Sequence, residues 1–249
     1  MAGHSKWANR VHRKTRQDAK RSNLFAKMAR LIMLAAREGG GNPDLNPRLR
    51  LSMDKARRAE MPMDNIENAI KRGTGEIEGA SYETVSYEGF GPASVALIIE
   101  CLTDNKTRTV ADLRNIMKKG GGTLAETGAV GWMFEQKGVL TLPVGAIDYD
   151  ELFMSAVDAG AEDVIAEDEI LEVRTEPRAF NAVYEALTAL GLQFERAEVT
   201  MIPTTTKEVA DDDAPKVLKL LDDINDNDDV QQVFANFEIS DEALENLEA

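Results

Sequence analysis

Ten cations crowd the first 37 residues: Lys6, Arg10, Arg13, Lys14, Arg16, Lys20, Arg21, Lys27, Arg30 and Arg37 face only Asp18 and Glu38 as nearby acids. A cluster of this kind suits a phosphate backbone. Each cation that neutralises a phosphate releases counterions, so binding weakens steeply with salt. Such contacts position a chain on nucleic acid without reading its sequence. Trp7 offers a ring to stack on an unpaired base, and His4 and His12 add stacking or phosphate contacts. Arg48, Arg50, Lys71 and Arg72 carry the basic character further along the chain. Three plainer readings compete: a solvated helix face, a patch docked on the acidic remainder of the same chain, and an Arg-rich transit peptide. Charge density argues against the first, whereas an acidic body would attract a free arm.

Catalytic chemistry is tested by elimination. The only histidines, His4 and His12, lack carboxylates at metal-site spacing. There is no Walker A pattern, no G-x-S-x-G and no H-E-x-x-H. Gly39–Gly41 and Gly120–Gly122 each follow a helical pattern, so they read as helix stops and not as phosphate loops. Asp222, Asp223, Asp226, Asp228 and Asp229 lack the ordered spacing and terminal Glu of a calcium loop. Cys101 sits in the apolar run Val95–Leu102 and reads as a small buried hydrophobe. The expectation is a non-enzymatic chain with no cofactor, no metal and no small-molecule substrate.

The net charge of −15 hides a division along the chain. Residues 1–75 hold 17 Lys and Arg against 7 Asp and Glu, and residues 76–249 hold 12 against 37. The balances are therefore +10 and −25, a basic module joined to an acidic body. No stretch reaches the ~18 to 20 apolar residues of a membrane span, and the first twenty residues lack a signal-peptide core. With one cysteine, these features point to the cytoplasm and to no membrane partner.

Three helices should carry the cations. Residues 1–22 are nearly devoid of apolar side chains and read as a basic arm, helical from about Arg13. Leu24, Met28, Leu31 and Ala35 then form one stripe, with Lys20, Lys27, Arg30 and Arg37 beside it on the exposed side. Asn46-Pro47 occupies cap and first-turn positions of a second helix, and Met61-Pro62 breaks it. Asp64 with Glu67 makes a capping-box-like start for a third, ending at Gly73. Strands follow at 82–87 and 93–102, a helix at 107–119 and a short strand at 130–134. Strands at 139–142, 163–166, 170–175 and 196–202, with helices at 149–159 and 179–190, give the order of a ferredoxin-like fold. The closing helix 214–224 and strand 230–237 cannot bury their apolar faces alone, and so should return to the sheet begun at Tyr82. The fold class is α+β: a three-helix domain (1–78), a discontinuous α+β domain (79–136 plus 205–249) and a ferredoxin-like domain (137–204).

The opening Met1–Asn9 with His12-Arg13-Lys14 resembles the N-terminus of the YebC family. The resemblance continues through Ala35–Gly40, Asn46–Arg50, Asp64–Glu67 and Ala69–Gly75. It resumes at Tyr87–Pro92, Leu102–Asn105 with Arg108-Thr109, and Gly131–Glu135. It covers the whole chain and is densest before residue 140. Arg10-Val11 replaces a usual Ile-Lys, and Met63 stands where a Lys is common. The resemblance implies a helical domain followed by two α+β domains, and an opening that belongs to the mature protein. It also implies a regulator of gene expression, either a DNA-binding transcriptional regulator or a ribosome-associated translation factor. Sequence-specific duplex reading usually needs a recognition helix, often presented twice by a dimer. Residues 65–72 offer few base-reading side chains. A long basic arm with a Trp suits folded RNA better, so ribosomal RNA or the ribosome is the expected partner and DNA the alternative.

Overall fold

The computed structural model describes residues 18–167 and 169–240, with side chains from residue 22 onward. These residues divide into two compact units, one from 18–131, 209–235 and 239–240, the other from 132–208 and 236–238.

The first unit opens with α1 (Asp18–Gly39), α2 (Pro47–Arg58) and α3 (Met63–Gly73). Met28, Ile32 and Ala35 of α1 meet Leu49, Met53 and Ala56 of α2 and Ile66 and Ala69 of α3 in one core. Ile32 is fully buried where the sequence pattern favours Leu31, which is half-buried. At ~3.6 residues per turn, positions 28, 32 and 35 align more closely. Asn46 joins two helices: its amide nitrogen donates to the carbonyls of Ala35 and Gly40, each at 2.8 Å, and its oxygen accepts from the N–H of Leu49 at 3.0 Å. One buried side chain thus caps the start of α2 and closes the end of α1. The capping box expected at Asp64 does not form. Pro62 is the N-cap, it offers no side-chain acceptor, and Asp64 lies inside the first turn, where it complements the helix dipole.

The middle sheet begins with β1 (Glu83–Phe90) and β2 (Ala96–Thr103), paired antiparallel from Glu83↔Thr103 to Phe90↔Ala96. The second strand starts later than the apolar run suggests, because Pro92–Ser94 forms a tight turn with positive φ at Ala93 and Ser94. Helix α4 (Lys106–Lys119) follows, and β3 (Thr123–Leu124) adds to the outer edge of β1. Gly89 permits that approach, since a Cβ there would lie 2.6 Å from the Thr123 carbonyl oxygen.

The second unit is one antiparallel sheet with two helices. Its elements are β4 (Phe134–Pro143), α5 (Tyr149–Asp158), β5 (Asp163–Ala166), β6 (Ile170–Thr175), α6 (Phe180–Ala189) and β7 (Arg196–Pro203). The strand order β5-β6-β4-β7 is the ferredoxin-like arrangement. The sequence suggests separate strands at 130–134 and 139–142, but 131–133 forms a turn and one strand, β4, runs from Phe134 through Gly138 to Pro143. A Cβ at Gly138 would lie 2.2 Å from the Thr175 hydroxyl of β6 and 2.7 Å and 2.9 Å from Phe180 atoms, so the glycine makes room for both β6 and α6. Gly138→Ala is expected to cost about 1–3 kcal/mol through overpacking, read as a lowered urea midpoint at unchanged m-value. A midpoint equal to wild type would show that Thr175 and Phe180 give way freely.

After β8 (Lys207–Glu208) the chain rejoins the first unit as α7 (Ala214–Asn225) and β9 (Val230–Ala235). Strand β9 pairs antiparallel with β2, giving the order β3-β1-β2-β9 and making this α+β domain discontinuous in sequence. The strand expected over 230–237 divides at Asn236. Beyond it, β10 (Phe237–Glu238) pairs in parallel with β8.

Candidate nucleic-acid interface

Of the basic positions singled out from the sequence, Lys6, Trp7, Arg10, His12, Arg13, Lys14 and Arg16 lie outside the described residues. Lys20 and Arg21 fall on the first turns of α1, with side chains outside the described set. The remaining seven separate by what they touch.

Lys27 and Arg30 are not on an open face. Lys27 Nζ donates to the Asn225 carbonyl at 2.5 Å, and Arg30 donates to the carbonyl of Asp228. Asn23 adds a bond to the Asp226 carbonyl at 3.2 Å. These three side chains hold α1 against the turn between α7 and β9, where C-terminal carbonyls of α7 collect partial negative charge. Burial pulls the Lys27 ammonium down to about 8, against the opposing pull of Asp226 and Asp228. Arg30 also lies over the Tyr82 ring at 5.4 Å and 3.6 Å from a carboxylate oxygen of Asp229. Arg37 donates to the Ser81 hydroxyl at 2.6 Å, and Arg48 pairs with Glu38 at the surface. Arg50, Lys71 and Arg72 are exposed and have no ion-pair partner among the described residues.

Asp229 anchors the turn that α1 grips. It is 3% exposed, and its Oδ2 accepts from Thr103 at 3.2 Å, Thr109 at 2.8 Å and Arg108 at 2.8 Å. Desolvation pushes this carboxyl up, but the bonds from Arg108 and Thr109 and the nearby guanidinium charges outweigh it and hold the group low. Asn105 caps α4 by accepting from the Arg108 N–H at 3.0 Å. The segment Thr103–Asn105 with Arg108-Thr109 is therefore a clamp for one buried carboxylate. Asp229 is a structural anion, and among the described residues no group of three or more acids, histidines or cysteines is placed to hold a metal ion.

A second internal anion organises the Tyr87–Pro92 segment. Glu88 accepts from the backbone N–H groups of Gly128 at 2.7 Å, Val130 at 2.6 Å and Gly131 at 2.9 Å. Burial raises its pKa, but the three donors win and hold it below the usual carboxylate range. Gly128 supplies the left-handed residue of the loop, with φ +92°. Cys101 is fully buried, and desolvation first, then the charge of Asp229, pushes its thiol up to about 12. It is a packing residue.

Between α1 and α3 runs a groove of about 320 Å3. Phe25, Ala29 and Met33 line one side; Asn65, Asn68 and Arg72 line the other. The sequence reading counts few base-reading side chains over 65–72 and does not single out Asn65 and Asn68. Their spacing with Arg72, three and then four residues apart, marks one face of a helix and is the signal that exposes them.

Comparison with known proteins agrees with this architecture. Residues 5–76 match the model for the TACO1/YebC protein N-terminal domain, and residues 82–237 match that for the TACO1/YebC second and third domain. A probable transcriptional regulatory protein of Persephonella marina is 53% identical over 99% of this chain and 100% of its own length. A protein of the same description from Geobacter sulfurreducens is 50% identical over 99% and 100%. The crystal structure of a conserved hypothetical protein from Aquifex aeolicus superposes with a TM-score of 0.82 at 43% identity, covering 90% of this chain and 93% of that one.

Proposed function

The chain belongs to the TACO1/YebC family, and on that footing we propose that it is a non-enzymatic regulator of gene expression that binds nucleic acid through residues 1–78. The observation that carries the proposal is the separation of charge: +10 over residues 1–75 against −25 over the remainder. In this reading 79–136 with 205–249, and 137–204, are acidic supports that phosphates repel. The first of them braces the helical domain, as the grip of Lys27 and Arg30 on the α7–β9 turn illustrates. Nucleic-acid binding falls to Lys6, Arg10, Arg13, Lys14, Arg16, Lys20 and Arg21, with Trp7 and His12 against bases, and to the unpaired Arg50, Lys71 and Arg72. A cationic arm beside an acidic body suits folded RNA among ribosomal components better than a bare duplex, which an acidic body repels. We therefore place the protein on the ribosome as a translation factor in the cytoplasm.

The test is sedimentation of the native protein from a lysate, with and without DNase and RNase. Migration with ribosomal subunits that resists DNase, and is abolished in high salt or on removal of residues 1–22, is the expected result. A protein that stays at the top of the gradient with RNA intact, but shifts with DNA fragments, belongs to transcription instead. That second reading, a DNA-binding transcriptional regulator, is favoured by the description shared by the Persephonella and Geobacter relatives.

A further inference from the structure

The groove between α1 and α3 has the chemistry of a base pocket, and we propose that it receives one unstacked nucleobase of a single-stranded nucleic acid. This rests on the nucleic-acid reading above and adds what is recognised. On one side Ala29 and Met33, beside Phe25, line the groove from α1 with apolar surface, which accepts the face of a base. Across from it, Asn65 and Asn68 are exposed on α3, and neither amide has a hydrogen-bond partner among the described residues. An asparagine amide carries two donors and an acceptor, the complement of a base edge, and pairs two-fold with adenine. Arg72 closes the same row on α3, where a guanidinium meets a phosphate.

Size and surroundings agree with that occupant. The volume of about 320 Å3 falls at the small end of ligand pockets, enough to admit a nucleobase. The groove also contains Ser22, which follows the cations Lys20 and Arg21 directly in sequence. Asn65 and Asn68 line a groove that α1 closes on its other side. A duplex major groove requires a protruding helix, so the geometry favours an unpaired strand.

The experiment compares the full chain with Asn65→Ala/Asn68→Ala and with Arg72→Ala, using a 12-nucleotide oligoadenylate and its duplex. Both asparagines are exposed on a helix, and alanine is the better helix former, so the fold is retained. The double variant is expected to bind the single strand about tenfold more weakly, with no change on the duplex. It removes no charge, so the slope of log K against log salt stays at the wild-type value. Arg72→Ala, in contrast, lowers that slope by about 0.7. An oligoadenylate with abasic positions should bind wild type as weakly as oligoadenylate binds the double variant. If the double variant binds the single strand as tightly as wild type, the base pocket is wrong while the nucleic-acid reading stands. Equal losses on single strand and duplex also overturn it, because the amides then touch the backbone. If wild type binds neither form at low salt, both readings fall together.

Discussion

Replacing Asp229 with alanine is expected to destabilise the first unit by about 3 kcal/mol, the low end for breaking a buried ion pair. The low end applies because Arg108 is 47% exposed and recovers water when its partner leaves. Thr103 and Thr109 do not; both are fully buried, and their hydroxyls lose an acceptor. At ~2–4 °C per kcal/mol for a chain of this size, the thermal midpoint falls by about 6–12 °C. Asp223→Ala, an exposed neighbour in the same acid-rich run, should stay within about 0.5 kcal/mol. The sign with pH follows from the depressed folded pKa. The stabilisation is fully present above the unfolded value of ~3.9 and is lost as pH falls through the lower folded value. Equal midpoints for the Asp229 and Asp223 variants would show that the clamp contributes nothing.

The second large effect concerns binding. Neutralising Arg13, Lys14, Lys20 and Arg21 together should lower the salt slope for single-stranded nucleic acid by about 3, at ~0.7 for each phosphate left without its cation. Affinity near physiological salt should fall about a hundredfold or more, measured by anisotropy on a labelled oligonucleotide. Lys27→Ala/Arg30→Ala is the informative contrast. Those cations are bonded to the carbonyls of Asn225 and Asp228, so their removal should appear in the unfolding midpoint and leave the salt slope nearly unchanged. If the fourfold variant keeps full affinity and slope, the arm is no phosphate-binding device, and a module whose acidic surface binds basic proteins becomes the better description.

Much of the fold is legible in the residues. The glycine runs at 39–41 and 120–122 stop α1 and α4, Asn46 caps α2, and the order of elements in 134–203 gives the ferredoxin-like sheet. What escaped depends on distant neighbours. A glycine inside a strand falls outside the strand pattern until β6 and α6 are seen packed against it, as at Gly138. Asp229 is one aspartate among several in its run; its partner Arg108 is 121 residues away, and composition alone cannot choose it. Helical periodicity sorts α1 into an apolar stripe and a polar remainder, yet it cannot show that part of that remainder meets the α7–β9 turn. Lys27 and Arg30 thus look like solvent cations, though the molecule has already used them. The groove was hidden for the same reason, since Asn65 and Asn68 become a wall only when Phe25 and Met33 stand opposite.

The return of β9 to β2 also sets an order of events during synthesis. Strand β2 is buried along seven of its eight positions and has β1 on one side as soon as the first 103 residues exist. Its other edge waits for Val230, about 130 residues and, at ~5–20 residues per second, roughly 6–25 s later. In that interval the four strands of the inserted unit's main sheet are all synthesised, whereas the nascent middle sheet carries an open, isoleucine-bearing edge of the kind that recruits foreign strands. A chain stalled or truncated before residue 230 leaves that edge open for good, and loses Asp229 and the turn that α1 grips unless the break falls after them. Completion of the C-terminal segment is thus the step that seals both the sheet and the seat of the cationic helix.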